Sequence, residues 1–111
     1  LGKETIFAER LNGELVLRRD FKIKENQKVL IVEDVITTGK SILECEKIIK
    51  KLKAKTIGFA CIIDRSNKKN LKIKGKIISQ IKLDIPVYKK KDLPISLKKI
   101  PITKPGSRYL K

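Results

Sequence analysis

Glu33 and Asp34 stand side by side after the apolar run Val29-Leu30-Ile31-Val32, and Val35-Ile36 then lead into Thr37-Thr38-Gly39-Lys40-Ser41. Adjacent carboxylates accept hydrogen bonds from hydroxyl groups or hold a hydrated Mg2+. The segment behind them has the opposite preference. Thr37, Thr38 and Ser41 carry hydroxyl donors, and Gly39 lets the backbone approach a ligand closely. If a helix starts there, its free N–H groups and its dipole favour an anion. Acids on one side and a phosphate cradle on the other suit a sugar phosphate.

Two other readings compete. Gly39-Lys40-Ser41 ends like a Walker A loop, but that loop needs a glycine five positions before Gly39, where Asp34 stands instead. A carboxylate there would face the phosphates, so a P-loop nucleotide hydrolase is disfavoured. The structural alternative makes the acids, threonines and serine ordinary helix caps. Caps account for one or two of these residues, not for two acids followed by T-T-G-K-S behind four apolar residues.

The flanking pattern supplies the elements that would hold this segment. Residues 28–33, KVLIVE, form a continuous β-branched run that suits a strand buried on both faces of a parallel sheet. Over residues 41–53, Ile42, Cys45, Ile48, Ile49 and Leu52 recur at helical spacing. Residues 56–64, TIGFACIID, read as a second buried strand, so strand, helix and strand make a βαβ unit with the usual right-handed crossover. In open sheets of this kind ligands bind at the carboxyl ends of the strands, where Glu33 and Asp34 fall. Upstream, residues 4–9 and 14–19 read as the arms of a hairpin around Asn12-Gly13, and residues 24–27 as a polar turn. Downstream, residues 66–76 read as an exposed Lys-rich loop and 76–83 as a weaker strand. The tail 85–111 holds all four prolines and reads as extended and irregular.

A chain of 111 residues is one domain by length. It has no Met and begins Leu1-Gly2-Lys3, so the expectation is a piece of a longer protein. The net charge of +16 invites a nucleic-acid partner. The basic residues are 23 Lys and only 5 Arg, scattered along the chain, and the few aromatics do not interleave with them. That pattern fits a solvated surface and a compositional bias better than a base-stacking face, so no nucleic acid is expected. Cys45 and Cys61, with no His anywhere, make no zinc set and read as reduced thiols of a cytoplasmic protein. No apolar run approaches the length of a membrane span.

VLIVEDVITTGKS, residues 29–41, resembles the phosphoribosyl pyrophosphate signature of type I phosphoribosyltransferases: four apolar residues, two acids, two apolar residues, then T-T-G-x-S. The resemblance implies a Rossmann-like α/β fold with a parallel sheet whose N-terminal part is missing, so that residues 1–111 form a partial phosphoribosyltransferase domain. It also implies that Glu33 and Asp34 bind the ribose hydroxyls. Thr37, Thr38, Gly39, Lys40 and Ser41 would wrap the 5-phosphate, with Val35 and Ile36 completing the binding segment.

Other stretches resemble the orotate branch of that family. IFAERLNGELVLRRDF (6–21) is similar to its segment before the signature, and the tail ending in K-P-G-S-R to its C-terminal segment. CIIDRS (61–66) resembles its strand-end D-R, whose Arg contacts the orotate carboxylate, a role falling here on Arg65 with Thr37. Arg offers a bidentate fork to a carboxylate, which agrees with that role. Candidate catalytic residues are then Asp34, with Arg18 and Arg19 on the hairpin as pyrophosphate contacts; Arg10 is a further hairpin cation. The resemblance implies Mg2+ carried by the pyrophosphate, small-molecule substrates and a homodimer. Alternatives are a purine phosphoribosyltransferase, against which Arg65 speaks, and a non-catalytic regulator that senses phosphoribosyl pyrophosphate.

Overall fold

The computed structural model describes residues 2–18, 20–67, 71–86 and 88–101. Among them, strands β1 (Ala8–Leu11) and β2 (Glu14–Leu17) form an antiparallel hairpin. Strands β3 (Lys28–Ile36), β4 (Lys55–Asp64) and β5 (Ile77–Lys82) form a parallel sheet in the order β3-β4-β5. Helix α1 (Lys40–Lys51) joins β3 to β4. The α/β class and the parallel sheet expected from the apolar runs are present.

The hairpin turn follows its sequence signal. Asn12 and Gly13 have φ of 50° and 88°, and Leu11 pairs directly with Glu14. Two positive φ values in a two-residue loop give the twist that strand pairs need. The second arm is shorter than 14–19, and the first is displaced from 4–9 to 8–11, because a two-residue turn sets Leu11 opposite Glu14 and Ala8 opposite Leu17. Before β1, Phe7 instead packs edge-on against Phe21, with ring centroids 5.1 Å apart.

β3 runs three residues beyond its expected end, since Val35 pairs with Ile63 and Ile36 with Asp64. Both acids therefore lie within the paired strand, near its carboxyl end, where Glu33 alone was expected inside it. Burial on both faces is not what the sheet shows. Ile31, Phe59 and Cys61 are buried with Ile42 and Ile49 of α1, but Val32 is 68% exposed and Ile78 62%. Leu30 and Ile62 share that exposure. Helix α1 packs against β3 and β4, and residues alternate in direction along each strand. One apolar face is therefore covered and the other faces outward. A continuous apolar run reports that both faces are apolar, not that both are covered.

The expected helix forms two residues shorter at its end. Leu52 caps it, Lys53 turns back with φ 56°, and the N–H groups of Lys53 and Ala54 donate to the carbonyls of Lys50 and Ile49. This is a Schellman closure with Lys in the place usually taken by Gly. Ala54 is buried beside it and delivers the chain into β4.

Two loop expectations are corrected. Of the loop expected over 66–76, Ile73 is buried and Leu71 packs against the core, so the part from Leu71 on is not purely exposed. Within the tail, a 3-10 turn spans Lys90–Asp92 and a short helix α2 spans Ile95–Lys98, with Pro94 at its N-cap. The pre-set φ of proline suits a helix entry as well as an irregular strand. The K-P-G-S-R segment lies outside the described residues.

Candidate functional site

The carboxyl end of β3 delivers the Thr37–Ser41 loop into α1. Gly39 is the N-cap residue, with φ 73° and ψ 13°. A Cβ added to it would lie 2.7 Å from Cδ1 of the buried Ile73 and 3.1 Å from Cδ1 of Leu71. The left-handed backbone and the close approach both demand glycine. No side chain caps α1, and its first turn holds no acid. The Thr38 hydroxyl accepts only a long 3.4 Å bond from the Lys40 N–H. Ordinary capping therefore does not account for the threonines and serine, and beyond that long bond the first-turn N–H groups of Ser41 and Ile42 have no side-chain partner. Those groups and the dipole form an anion-favouring surface.

The neighbourhood adds positive charge. An open cleft of about 360 Å3 beside the loop is lined by Thr38, Lys40, Leu43, Glu44, Lys47 and Lys72. Glu44 moderates it by pairing with Lys40 at 3.9 Å and with Arg10 of the hairpin. Arg10 thus fastens the hairpin to the helix that carries the loop, and also donates to the Gly13 carbonyl. The Arg18 guanidinium sits 5.5 Å from the Phe7 ring centre, a cation–π contact. Arg19 lies outside the described residues. So Arg10, rather than Arg18, is the hairpin cation brought onto α1.

Glu33 and Asp34 point to opposite sides of β3. Glu33 is half-buried in register with Cys61, on the helix side of the sheet. The two thiols report its presence. Burial pushes Cys45 up first, with Glu33 and then Glu44 adding to it. Burial and then Asp64 push Cys61 up; a backbone hydrogen bond from Ile36 opposes them, and Glu33 adds a smaller rise. Both cysteines are free thiols, and the raised values keep them protonated. Asp34 is exposed, and its carboxylate accepts a 2.7 Å bond from the Val35 N–H. Among the described residues no three His, Cys, Asp or Glu side chains stand together as a metal-binding group.

Arg65 is exposed just past β4. Its N–H donates to the Ile36 carbonyl at 2.8 Å, which belongs to the peptide immediately before Thr37. One backbone hydrogen bond thus joins the two residues expected to meet the same ligand. A groove of about 250 Å3, lined by Ser66, Asn67, Lys82, Leu83 and Asp84, opens beyond it. The loop, the two acids and Arg65 share the carboxyl end of the sheet, although neither cleft is lined by all of them.

Asp64 was not singled out from sequence. It is 6% exposed, the one buried charged residue among those described. Burial alone would raise its carboxyl, but hydrogen bonds from the Ser66 side chain and backbone outweigh it. With the Lys82 ammonium added, they hold it below the ordinary value. A folded-state value below the unfolded one stabilises the fold at higher pH, and that contribution is lost as pH falls through the folded value. Below about pH 5 the unmodified protein should therefore lose stability faster than Asp64→Asn, as chemical denaturation across a pH series would show.

These features have counterparts in known proteins. The chain matches the phosphoribosyl transferase domain over residues 3–88, and it belongs to that family. Among its curated relatives is the orotate phosphoribosyltransferase of Thermoanaerobacter sp. (strain X514). The two are 43% identical over 109 residues, which is 97% of this chain and 56% of that protein. The chain thus spans just over half the length of that relative. A crystal structure of a hypoxanthine phosphoribosyltransferase from Staphylococcus aureus is 21% identical over 71% of this chain and 44% of that one, with a TM-score of 0.48. No helix among the described residues is long and apolar enough to cross a membrane.

Proposed function

We propose that this chain carries the phosphoribosyl pyrophosphate and orotate sites of an orotate phosphoribosyltransferase. The enzyme transfers ribose 5-phosphate to orotate in the route to pyrimidine nucleotides, releasing pyrophosphate and forming orotidine 5′-phosphate. The observation that carries this reading is the hydrogen bond from the Arg65 N–H to the carbonyl preceding Thr37. It ties the Arg65 backbone to the strand end that leads into the Thr37 loop, and a purine base has no carboxylate for an arginine there to meet. The 43% identity to a named orotate phosphoribosyltransferase points the same way.

In this reading the 5-phosphate lies in the loop Thr37–Ser41, held by backbone N–H groups of α1 and by hydroxyls, with Val35 and Ile36 leading into it. Glu33 and Asp34 accept hydrogen bonds from the ribose hydroxyls and offset positive charge that develops at C1 as the pyrophosphate departs. Orotate is held between Thr37 and Arg65 with its nitrogen aimed at C1. No side-chain nucleophile is required; positioning supplies much of the rate. Mg2+ carried by the pyrophosphate of the substrate would supply charge screening for the leaving group. Arg18 and Arg19 are the candidates for the departing pyrophosphate. For Arg18 that use requires leaving the Phe7 ring. The working form is a cytoplasmic homodimer.

Asp34→Asn should raise the phosphoribosyl pyrophosphate KM about tenfold, the worth of one charge-assisted hydrogen bond, in steady-state kinetics. Calorimetry tests the binding assignment itself. Phosphoribosyl pyrophosphate with Mg2+ and orotidine 5′-phosphate should both bind, and adenosine and guanosine monophosphates should bind far more weakly. Equal binding of all three nucleotides would remove orotate from the assignment.

A further inference from the structure

We infer that Asp64 is a positioning residue for base recognition, its buried carboxylate holding the turn that presents Arg65 to the Thr37 loop. This rests on the reading of Arg65 as the orotate contact. An aspartate is rarely buried unless it is paired and hydrogen-bonded. One Asp64 carboxylate oxygen accepts the Ser66 N–H at 2.8 Å, and the other lies 3.6 Å from the Lys82 ammonium. The first bond closes a side-chain turn with Arg65 as its middle residue.

The backbone is bound on both sides as well. The Asp64 carbonyl accepts from the Leu83 N–H at 2.9 Å, beyond β5, and the Arg65 N–H donates to the Ile36 carbonyl at 2.8 Å, on β3. Arg65 is thus held in place by three bonds that do not use its side chain. Lys82 also has an electrostatic consequence. It takes the charge of Asp64, and Arg65 forms no ion pair among the described residues. The guanidinium stays available for an anionic ligand rather than folding back on its neighbour.

A role limited to fastening β4 to β5 would lower stability and disturb both substrates together. A positioning role moves the base alone. The test is steady-state kinetics on the full-length protein, varying orotate and phosphoribosyl pyrophosphate separately. Asp64→Ala should raise the orotate KM about tenfold or more while the phosphoribosyl pyrophosphate KM stays within about twofold. Asp64→Asn keeps an oxygen for the Ser66 N–H but loses the charge and the oxygen that faces Lys82, so its orotate KM should rise about threefold. If Asp64→Ala does not fold, the same split in Asp64→Asn decides.

An orotate KM unchanged in the folded variants, or two KM values rising together, overturns the inference. Arg65→Ala in the same assay separates this from the reading beneath it. An unmoved orotate KM in Arg65→Ala means that the base assignment has failed. A raised KM there, with both Asp64 variants unaffected, removes the positioning role alone.

Discussion

Gly39→Ala is expected to lower the unfolding free energy by about 2–5 kcal/mol and to abolish most phosphoribosyl pyrophosphate binding. Two terms add. A Cβ in the left-handed conformation at φ 73° costs roughly 1–2 kcal/mol. The new methyl also meets Ile73 Cδ1 at 2.7 Å, and Ile73 is buried under the loop. Overpacking of that kind costs about 1–3 kcal/mol. Relief by rotating Gly39 out of its conformation would turn the N–H groups of the loop away from the phosphate. Chemical denaturation and calorimetry on one preparation measure both effects. The double variant Gly39→Ala, Ile73→Val loses the clashing Cδ1 atom and should recover the packing part of the stability, but not the backbone part. Equal stability of Gly39→Ala and the unmodified protein would mean that the loop is not held as described.

Arg65→Ala is expected to raise the orotate KM on the order of hundredfold and to leave the phosphoribosyl pyrophosphate KM nearly unchanged. Truncating one member of a desolvated charge pair costs about 2–5 kcal/mol, because the other charge is left buried without a partner. Arg65→Lys should recover only part of this, since an ammonium cannot reproduce the planar two-point contact. The split between substrates is the informative feature. The Arg65 backbone is bonded to Ile36, and removing the side chain leaves that bond in place. The phosphate loop should therefore keep its geometry in the variant. Parallel steady-state titrations of the two substrates check this.

Much of the fold was legible because the decisive segments follow simple periods. The β-branched run over 28–33 and the helical spacing of Ile42, Cys45, Ile48 and Ile49 place the loop between a strand and a helix, and the family-specific spacing of its acids and hydroxyls does the rest. The run ended too early on reading because the acids interrupt its hydropathy, whereas pairing with β4 carries the strand through Ile36. Leu71 and Ile73 were hidden among lysines. Two alternating apolar residues in a charged loop are a weak signal, yet Ile73 adds a close contact to the left-handed backbone that already favours glycine at position 39.

Asp64 was missed for a different reason. An acid before an Arg at a strand end resembles the start of any polar loop, and its burial depends on Ser66 and on Lys82 eighteen positions away. Nor does hydropathy distinguish a covered apolar face from an open one, which is why Val32 and Ile62 read as buried. The Arg10–Glu44 pair joins residues thirty-four positions apart and has no local signature.

The most direct test of the central claim is pyrophosphate release from phosphoribosyl pyrophosphate and Mg2+ by the full-length protein. It is measured in turn with orotate, hypoxanthine, adenine and guanine as acceptor. Release is expected with orotate, and none above background with the three purines. Release supported by a purine and not by orotate would contradict the claim.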